Sequence, residues 1–277
     1  MSGDLLPVLR SQLLSSTPGV THGITQRVQG MSPSDGQVGY SPPRDQQDAW
    51  RNRQCWAAVI GVDAEQLVTP GQVHGNTVLV VTAEDGGTGA QPGSGIVGQG
   101  DAMITAATEI GLFSLHADCM PILLAGLDAA GEAIAVGAVH AGWRGTVVDV
   151  VGRAVLAMRE QFGIEAKDVI AYLGPAIGAC CYEVGPEVTK SWIDQAPDGL
   201  QAVINDADGV RFDLAAANVH LLERAGVSTD RIEVAGLCTK CEPERWFSHR
   251  GHGPETGRFA AVIALTKDRP DYLVVED

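Results

Sequence analysis

The apolar and polar positions divide the chain into two unlike parts. Residues 1–55 are polar, turn-rich and weakly periodic. Within them, the stretch from Met31 to Asp48 is crowded with Ser, Pro, Gly, Asp and Gln and reads as a loop. A short helix is expected over residues 50–64. Beyond it the pattern becomes strand, glycine loop, strand. Short apolar, β-branched runs predict strands at 78–81, 110–115, 122–124, 133–139, 169–173, 232–235 and 259–265. Residues 83–100 hold seven glycines and are expected to be irregular. The clearest helix is 146–162, where Val147, Val151, Ala154, Val155, Met158 and Phe162 step by three or four residues into one stripe. Thr146 is its expected N-cap and Gly163 its stop. A second helix is expected over 213–225, with Asp213 at its start and Gly226 after its end. No repeat or linker divides the chain. The expected fold is therefore mixed α/β (α+β), a single domain over residues 1–277.

Composition narrows the function. The chain is 45% hydrophobic and 19% charged, a globular balance. Its 34 acidic and 19 basic residues give a formal charge of −15. Binding to phosphate backbones needs Lys and Arg to neutralise them, so a nucleic-acid partner is not expected. A membrane partner is not expected either, because no apolar run reaches the ~18 residues of a span and no polybasic patch is present. The first residues lack a basic segment followed by a long apolar core, so a cytoplasmic location is expected. There the six Cys would be reduced and available for metal or catalysis.

Three segments place a metal-capable side chain at a small-residue turn by a strand end. They are QVHG (72–75) with His74, ADCMP (117–121) with Cys119, and VHAGWRG (139–145) with His140. Two imidazoles and a thiolate suit Zn²⁺, and three protein ligands leave one position for water, which ionises near pH ~7 on zinc. The ordinary alternative is a small buried thiol and two unrelated histidines, and spacing alone does not decide. In HAGWRGT (140–146) a strand feeds a helix start. Free N–H groups there, with Gly142 and Gly145 allowing close approach, favour an anion that Arg144 could grip. A tight turn with Arg144 in a surface ion pair is the plainer reading.

Three other features are weaker. Cys238-Thr-Lys-Cys241 is a CxxC that Cys180-Cys181 could complete to four thiols. The second CxxC of a zinc ribbon is missing, which disfavours a structural zinc. His116-Ala-Asp118 with that CxxC echoes zinc nucleobase deaminases only poorly. Near the C-terminus, FSHR (247–250) and TGR (256–258) bring His249, Arg250 and Arg258 close to a strand start, either as a cover for an anionic or polar ligand or as a solvated loop.

The segments QVHG, GDAMIT, ADCMPILLA, AVHAGWRGT, LGPAIGACCYEVG, DLAAANVHLLERAGV, and CT followed by FSHR and TGR resemble, in order, the YfiH/YlmD-like proteins. A weaker match begins at GITQR (23–27), so nearly the whole chain is covered. That family carries two descriptions: multicopper polyphenol oxidoreductase (laccase-like), and purine nucleoside phosphorylase with adenosine deaminase activity. The resemblance implies mixed sheets sandwiched by helices in α/β/β/α layers, and zinc on His74, Cys119 and His140. It also implies cleavage of purine nucleosides (adenosine, inosine, guanosine, methylthioadenosine) by phosphate to base and ribose 1-phosphate. Arg53, in WRNR (50–53), resembles a substrate-binding Arg of the family. This chain departs from the pattern in three places: QVGY (37–40) replaces a Ser-x-Asn-Leu segment, His116 stands where Thr is usual, and His249-Arg250 replaces Tyr-Arg.

The first reading is therefore a zinc-dependent purine nucleoside phosphorylase and adenosine deaminase. Phosphate lies near Arg144, Arg250 belongs to the substrate pocket, and Asp118 handles a proton or orients a ligand. His116 is a fourth ligand, a relay or a pocket wall. The alternatives are a copper (Cu²⁺) polyphenol oxidase and a cysteine hydrolase with Cys119 as nucleophile and His140 as base. A non-enzymatic redox or scaffold role also stays open. The copper reading lacks the H-x-H pairs that several coppers need, since none of the seven His is so spaced.

Overall fold

The computed structural model describes residues 6–207 and 209–266. Two sheets lie face to face between helical layers, the α/β/β/α order expected from the family resemblance. The larger sheet is built from β3 (Val78–Val80), β4 (Ala102–Thr105), β6 (Met120–Leu127), β7 (Ala133–Ala141), β8 (Val169–Leu173) and β11 (Ile232–Val234). Its order is β11-β8-β6-β7-β4-β3. The smaller runs β1-β12-β5-β2, from β1 (Val20–Ile24), β2 (Leu67–Val68), β5 (Gly111–His116) and β12 (Phe259–Leu265). A separate hairpin pairs β9 (Val203–Asp206) with β10 (Gly209–Phe212).

Side-chain alternation along the strands produces the layers. In β6, Ile122 and Leu124 point to a core shared with helices, while Leu123 and Ala125 point to the core between the sheets. Phe259, Ala261 and Ile263 of β12 fill that same inter-sheet core. Ala260 and Val262 turn the other way, onto Trp56 and Ile60 of α2 (Gln46–Ile60). On the far side, α4 (Val150–Phe162), α5 (Pro186–Gln195) and α6 (Leu214–Arg224) cover the larger sheet with Val151, Met158, Trp192 and Leu221. Short helices α1 (Gln12–Ser15), α3 (Trp143–Val147) and α7 (His249–His252) complete the set. No helix among the described residues is long and apolar enough to cross a membrane.

Most predicted strands stand where the apolar runs are, and β8 and β12 keep their predicted bounds. The helices need correction. The one expected over 50–64 begins at Gln46, because Asp45 caps it by accepting from Gln47 N and Asp48 N, and it stops at Gly61 with φ 88°. The long helix expected over 146–162 is two. Asp149 adopts a left-handed backbone (φ 61°), ends α3 and caps α4 by accepting from Gly152 N. Thr146 is therefore not a cap. It is buried inside α3, and its Oγ1 accepts from Asn218 Nδ2 at 3.0 Å. The N-terminal region is not merely loop either, since β1 pairs antiparallel along its whole length with β12.

Candidate functional site

The turns after β2 and β5 and the end of β7 converge. His74, Cys119 and His140 bring one donor atom each within 4.8 Å of one another. Cys119 Sγ lies 3.8 Å from His74 Nε2. Donor atoms around a tetrahedral zinc, at ~2.0–2.3 Å from the ion, are ~3.3–3.8 Å apart, so this spacing fits. His74 is exposed and His140 buried, so the cluster opens to solvent on one side.

A residue without a motif of its own organises the cluster. Asp101, just ahead of β4, is buried, and its Oδ1 accepts from His140 Nδ1 at 2.8 Å. The same carboxylate accepts from the backbone N–H of Val73 (3.2 Å), His74 (2.9 Å) and Gly75 (2.7 Å). Those three N–H groups converge because His74 sits in the left-handed region (φ 61°), a conformation costing ~1–3 kcal/mol in a non-glycine residue. Asp101 thus fixes one ligand through its ring and another through its backbone. Burial opposes its charge, but the hydrogen bonds from His140 and Gly75 outweigh burial and hold it below the usual carboxylate range.

The thiol and the imidazole polarise each other. Burial acts against the Cys119 thiolate, yet His140 and then His74 pull its pKa down to about 6. Burial likewise acts against charge on His140, and Cys119 and Asp101 push it up to about 9. With Nδ1 engaged by Asp101, Nε2 is the nitrogen left for a metal. Gly142 is required at its position. An added Cβ would stand 2.8 Å from Cys119 Sγ and 3.1 Å from His74 Cδ2.

His116 takes no part in the cluster. Its Nε2 is 2.8 Å from Ser114 Oγ, its Nδ1 is 3.1 Å from the Cys119 carbonyl, and its ring stacks on Phe259. Burial, and then the neighbouring His140, keep its pKa well below the ordinary histidine value. Asp118, at φ 91°, has both oxygens occupied: Oδ1 accepts from Thr239 Oγ1 at 2.6 Å, Oδ2 from Arg250 N at 2.7 Å.

The cluster forms part of the wall of a cavity of about 940 Å³. Arg53, Arg144, Arg250 and Arg258 line it, with Asp118 the one carboxylate among its lining residues. In a chain of net charge −15 this is a local concentration of positive charge. Three of the arginines lie over aromatic rings that also line the cavity: Arg53 over Tyr40 at 3.9 Å, Arg144 over Trp143 at 4.4 Å and Arg250 over Tyr182 at 5.1 Å. Stacking limits guanidinium motion, and at Arg144, which is exposed, it leaves the N–H edge for an anion. Arg53 also donates to the carbonyls of Val38 (2.9 Å) and Gly89 (2.6 Å), tying α2 to the loop over residues 83–100. Arg250 donates to the Glu183 carbonyl at 3.1 Å. Arg144 is exposed and enters no ion pair among the described residues.

Gly145 is not on the cavity wall. It lets α3 approach Gly75, whose carbonyl an added Cβ would meet at 3.1 Å. The helix-start anion site changes as well, because α3 has five residues and α4 begins at a carboxylate, Asp149. The four cysteines that looked unlike a zinc ribbon are gathered by the fold, with all four sulfurs within 4.8 Å of one another. Asp101 escaped sequence reading because a lone acidic residue before a strand carries no chemical pattern.

This fold is a mixed α/β protein in which His74, Cys119 and His140, a donor set spaced as a metal ion would need, lie on the wall of an arginine-lined cavity. Residues 21–266 match the profile of the family described as multi-copper polyphenol oxidoreductase laccase, and the chain belongs to that family, which includes the YfiH and YlmD proteins. It is 34% identical over 226 residues to the purine nucleoside phosphorylase YlmD of Geobacillus stearothermophilus, covering 81% of each chain. It is 34% identical over 270 residues to a purine nucleoside phosphorylase of Deinococcus radiodurans, covering 96% of each. The crystal structure of YlmD from G. stearothermophilus superposes with a TM-score of 0.84 at 31% identity, covering 96% of this chain and 98% of that one. A Bacillus licheniformis hypothetical protein YfiH gives 0.82 at 31% identity, covering 89% and 93%.

Proposed function

We propose that the protein is a zinc-dependent purine nucleoside phosphorylase that also deaminates adenosine. The observation that carries this reading is the His74–Cys119–His140 cluster on the wall of a cavity holding four arginines and one fully engaged carboxylate. The names of the relatives supply the substrate class, and the cavity's chemistry agrees with an anionic co-substrate.

In phosphorolysis, an oxygen of hydrogen phosphate forms a bond to C1′ of the ribose as the bond from C1′ to the purine nitrogen breaks, and the proton that the phosphate carried passes to the departing base. Arg144 and Arg250 hold and partly neutralise the phosphate, already oriented by Trp143 and Tyr182. Arg53 holds Gly89, another residue of the cavity wall, by donating to its carbonyl. Asp118 orients Arg250 by accepting from its backbone N–H, beside the Cys119 turn. His74, Cys119 and His140 would hold zinc, which when bound would supply a Lewis acid and, for replacement of the C6 amino group of adenine by water with loss of ammonia, an activated water near neutral pH. Asp101 keeps His140 in the tautomer that presents Nε2. Adenosine, inosine, guanosine and methylthioadenosine are the nucleosides to assay. Release of free base that requires both phosphate and zinc tests the proposal.

The copper reading in the family's description meets a shortage of ligands. Among the described residues only two histidines join a metal-type cluster, since His116 is held by Ser114 and the Cys119 carbonyl. One copper could occupy the same three donors by affinity order, but among the described residues the cavity offers no further histidine cluster for an array of several coppers.

One observation favours a second reading. Cys119, His140 and Asp101 also form the thiolate, imidazolium and carboxylate of a cysteine hydrolase. That reading leaves His74 without a role. Activity that survives zinc removal and is abolished by alkylating Cys119 would establish the hydrolase and exclude the zinc enzyme.

A further inference from the structure

We propose that Cys180, Cys181, Cys238 and Cys241 form a second metal site, a four-thiolate zinc centre distinct from the His74–Cys119–His140 cluster. The four sulfurs come from two loops, one after β8 and one after β11, and all lie within 4.8 Å of one another. Cys180 Sγ and Cys181 Sγ are each 3.5 Å from Cys241 Sγ. A tetrahedron of thiolates around zinc, with Zn–S of ~2.3 Å, has edges of ~3.8 Å. The sulfurs thus already stand near the corners such an ion needs. All four are free thiols, and four soft donors select zinc over magnesium or calcium.

The surrounding backbone is arranged for this meeting. The two loops are joined by a parallel bridge between Ala176 and Cys238, with Thr239 N donating to the Ala176 carbonyl at 2.9 Å. Cys238 and Cys241 lie on one tight turn, closed by Cys241 N to the Cys238 carbonyl at 3.2 Å. Gly178 N donates to Cys238 Sγ at 3.2 Å, the N–H to sulfur bond that supports a ligating thiolate. Gly178 packs closely against both loops. An added Cβ would lie 3.1 Å from Cys238 Cβ and 3.3 Å from Cys180 Sγ, so a side chain there would crowd the sulfurs by a few tenths of an ångström.

The position gives this centre a consequence. Thr239 follows Cys238 directly and holds Asp118 Oδ1 at 2.6 Å, one residue from Cys119. Tyr182 follows Cys181 directly and carries the ring under Arg250. An ion held by the four sulfurs therefore locks two loops that orient the cavity's Asp118 and Arg250. Its role is to position them, not to react with substrate.

The test is metal stoichiometry on the full chain, purified under reducing conditions and dialysed against zinc. The wild type is expected to hold two zinc ions per chain. A His74→Ala/Cys119→Ser variant is expected to keep one, and a Cys180→Ser/Cys241→Ser variant to lose the other. Cobalt loaded into the His74→Ala/Cys119→Ser protein should give the thiolate-to-cobalt charge-transfer absorption of a sulfur-rich tetrahedral site. Three outcomes overturn the proposal: a wild-type zinc content that is unchanged in the folded Cys180→Ser/Cys241→Ser variant, no cobalt–thiolate absorption in the folded His74→Ala/Cys119→Ser protein, or disulfides among these four cysteines in the reduced, zinc-dialysed wild type.

Discussion

Asp101 and His140 share a 2.8 Å hydrogen bond from Nδ1 to Oδ1, and the same carboxylate gathers the backbone N–H groups around His74. One buried acid therefore sets the geometry of two of the three donors. Asp101→Asn keeps the shape but removes the charge and offers one acceptor where the native carboxylate has two. Zinc affinity, measured by competition with a chromophoric chelator, should fall roughly 10–100-fold. An unchanged affinity would mean that the imidazole is oriented without Asp101.

The Cys119–His140 pair predicts a pH profile for the metal-free protein. Cys119 has its folded pKa lowered from 9.0 to about 6, so its stabilising contribution is present above 9.0 and lost as pH falls through about 6. His140 is raised from 6.5 to about 9, so its contribution is present below 6.5 and lost as pH rises through about 9. Between 6.5 and about 9 the two slopes oppose one another, and global stability from this pair stays nearly flat. Reactivity does not. Alkylation of Cys119 should rise through pH about 6 in metal-free protein and be suppressed by zinc. A midpoint near the ordinary thiol value would show that the pair does not form.

Gly142 is a steric requirement of the cluster. In Gly142→Ala the new methyl group overlaps Cys119 Sγ, 2.8 Å away, so sulfur or backbone must shift. The expected result is loss of zinc with a stability cost of ~1–3 kcal/mol, typical of forced overpacking. Metal analysis and thermal unfolding of the same sample check it, and full zinc occupancy would contradict it.

Arg144 is exposed, stacked on Trp143 and free of an ion pair among the described residues. Removing one charge-assisted contact to phosphate costs ~1.5–3 kcal/mol, roughly 10–150-fold in affinity. Arg144→Ala should raise the phosphate KM in that range while leaving the nucleoside KM within about twofold. Equal effects on both would indicate collapse of the wall instead.

The sequence reveals the donors of the site more readily than what holds them. His74, Cys119 and His140 stand out because each lies beside a glycine or proline in a short segment that reads as a strand end. Cys119 and His140 do stand at the start of β6 and the end of β7, whereas His74 lies within the loop between β2 and β3. Strand β12 is legible as a continuous apolar run because it is buried on both faces. The break at Asp149 is not legible, since the apolar stripe from Val147 to Val151 continues across it and periodicity cannot register one left-handed residue. Strand β1 hides for another reason. Val20 to Ile24 contains Thr, His and Gly, and its pairing with β12 depends on residues some 240 positions away. The four-cysteine cluster is a product of tertiary structure, because the doublet and the CxxC are about 60 residues apart and are brought together by contacts such as the Ala176–Cys238 bridge.

The most direct measurement is a paired assay on metal-quantified protein. Adenosine is supplied with and without phosphate, and adenine, inosine and hypoxanthine are separated by chromatography. The proposed function predicts adenine only when phosphate is present and inosine with or without it, both lost on zinc removal and restored by zinc. No turnover of any purine nucleoside by fully zinc-loaded protein would contradict it.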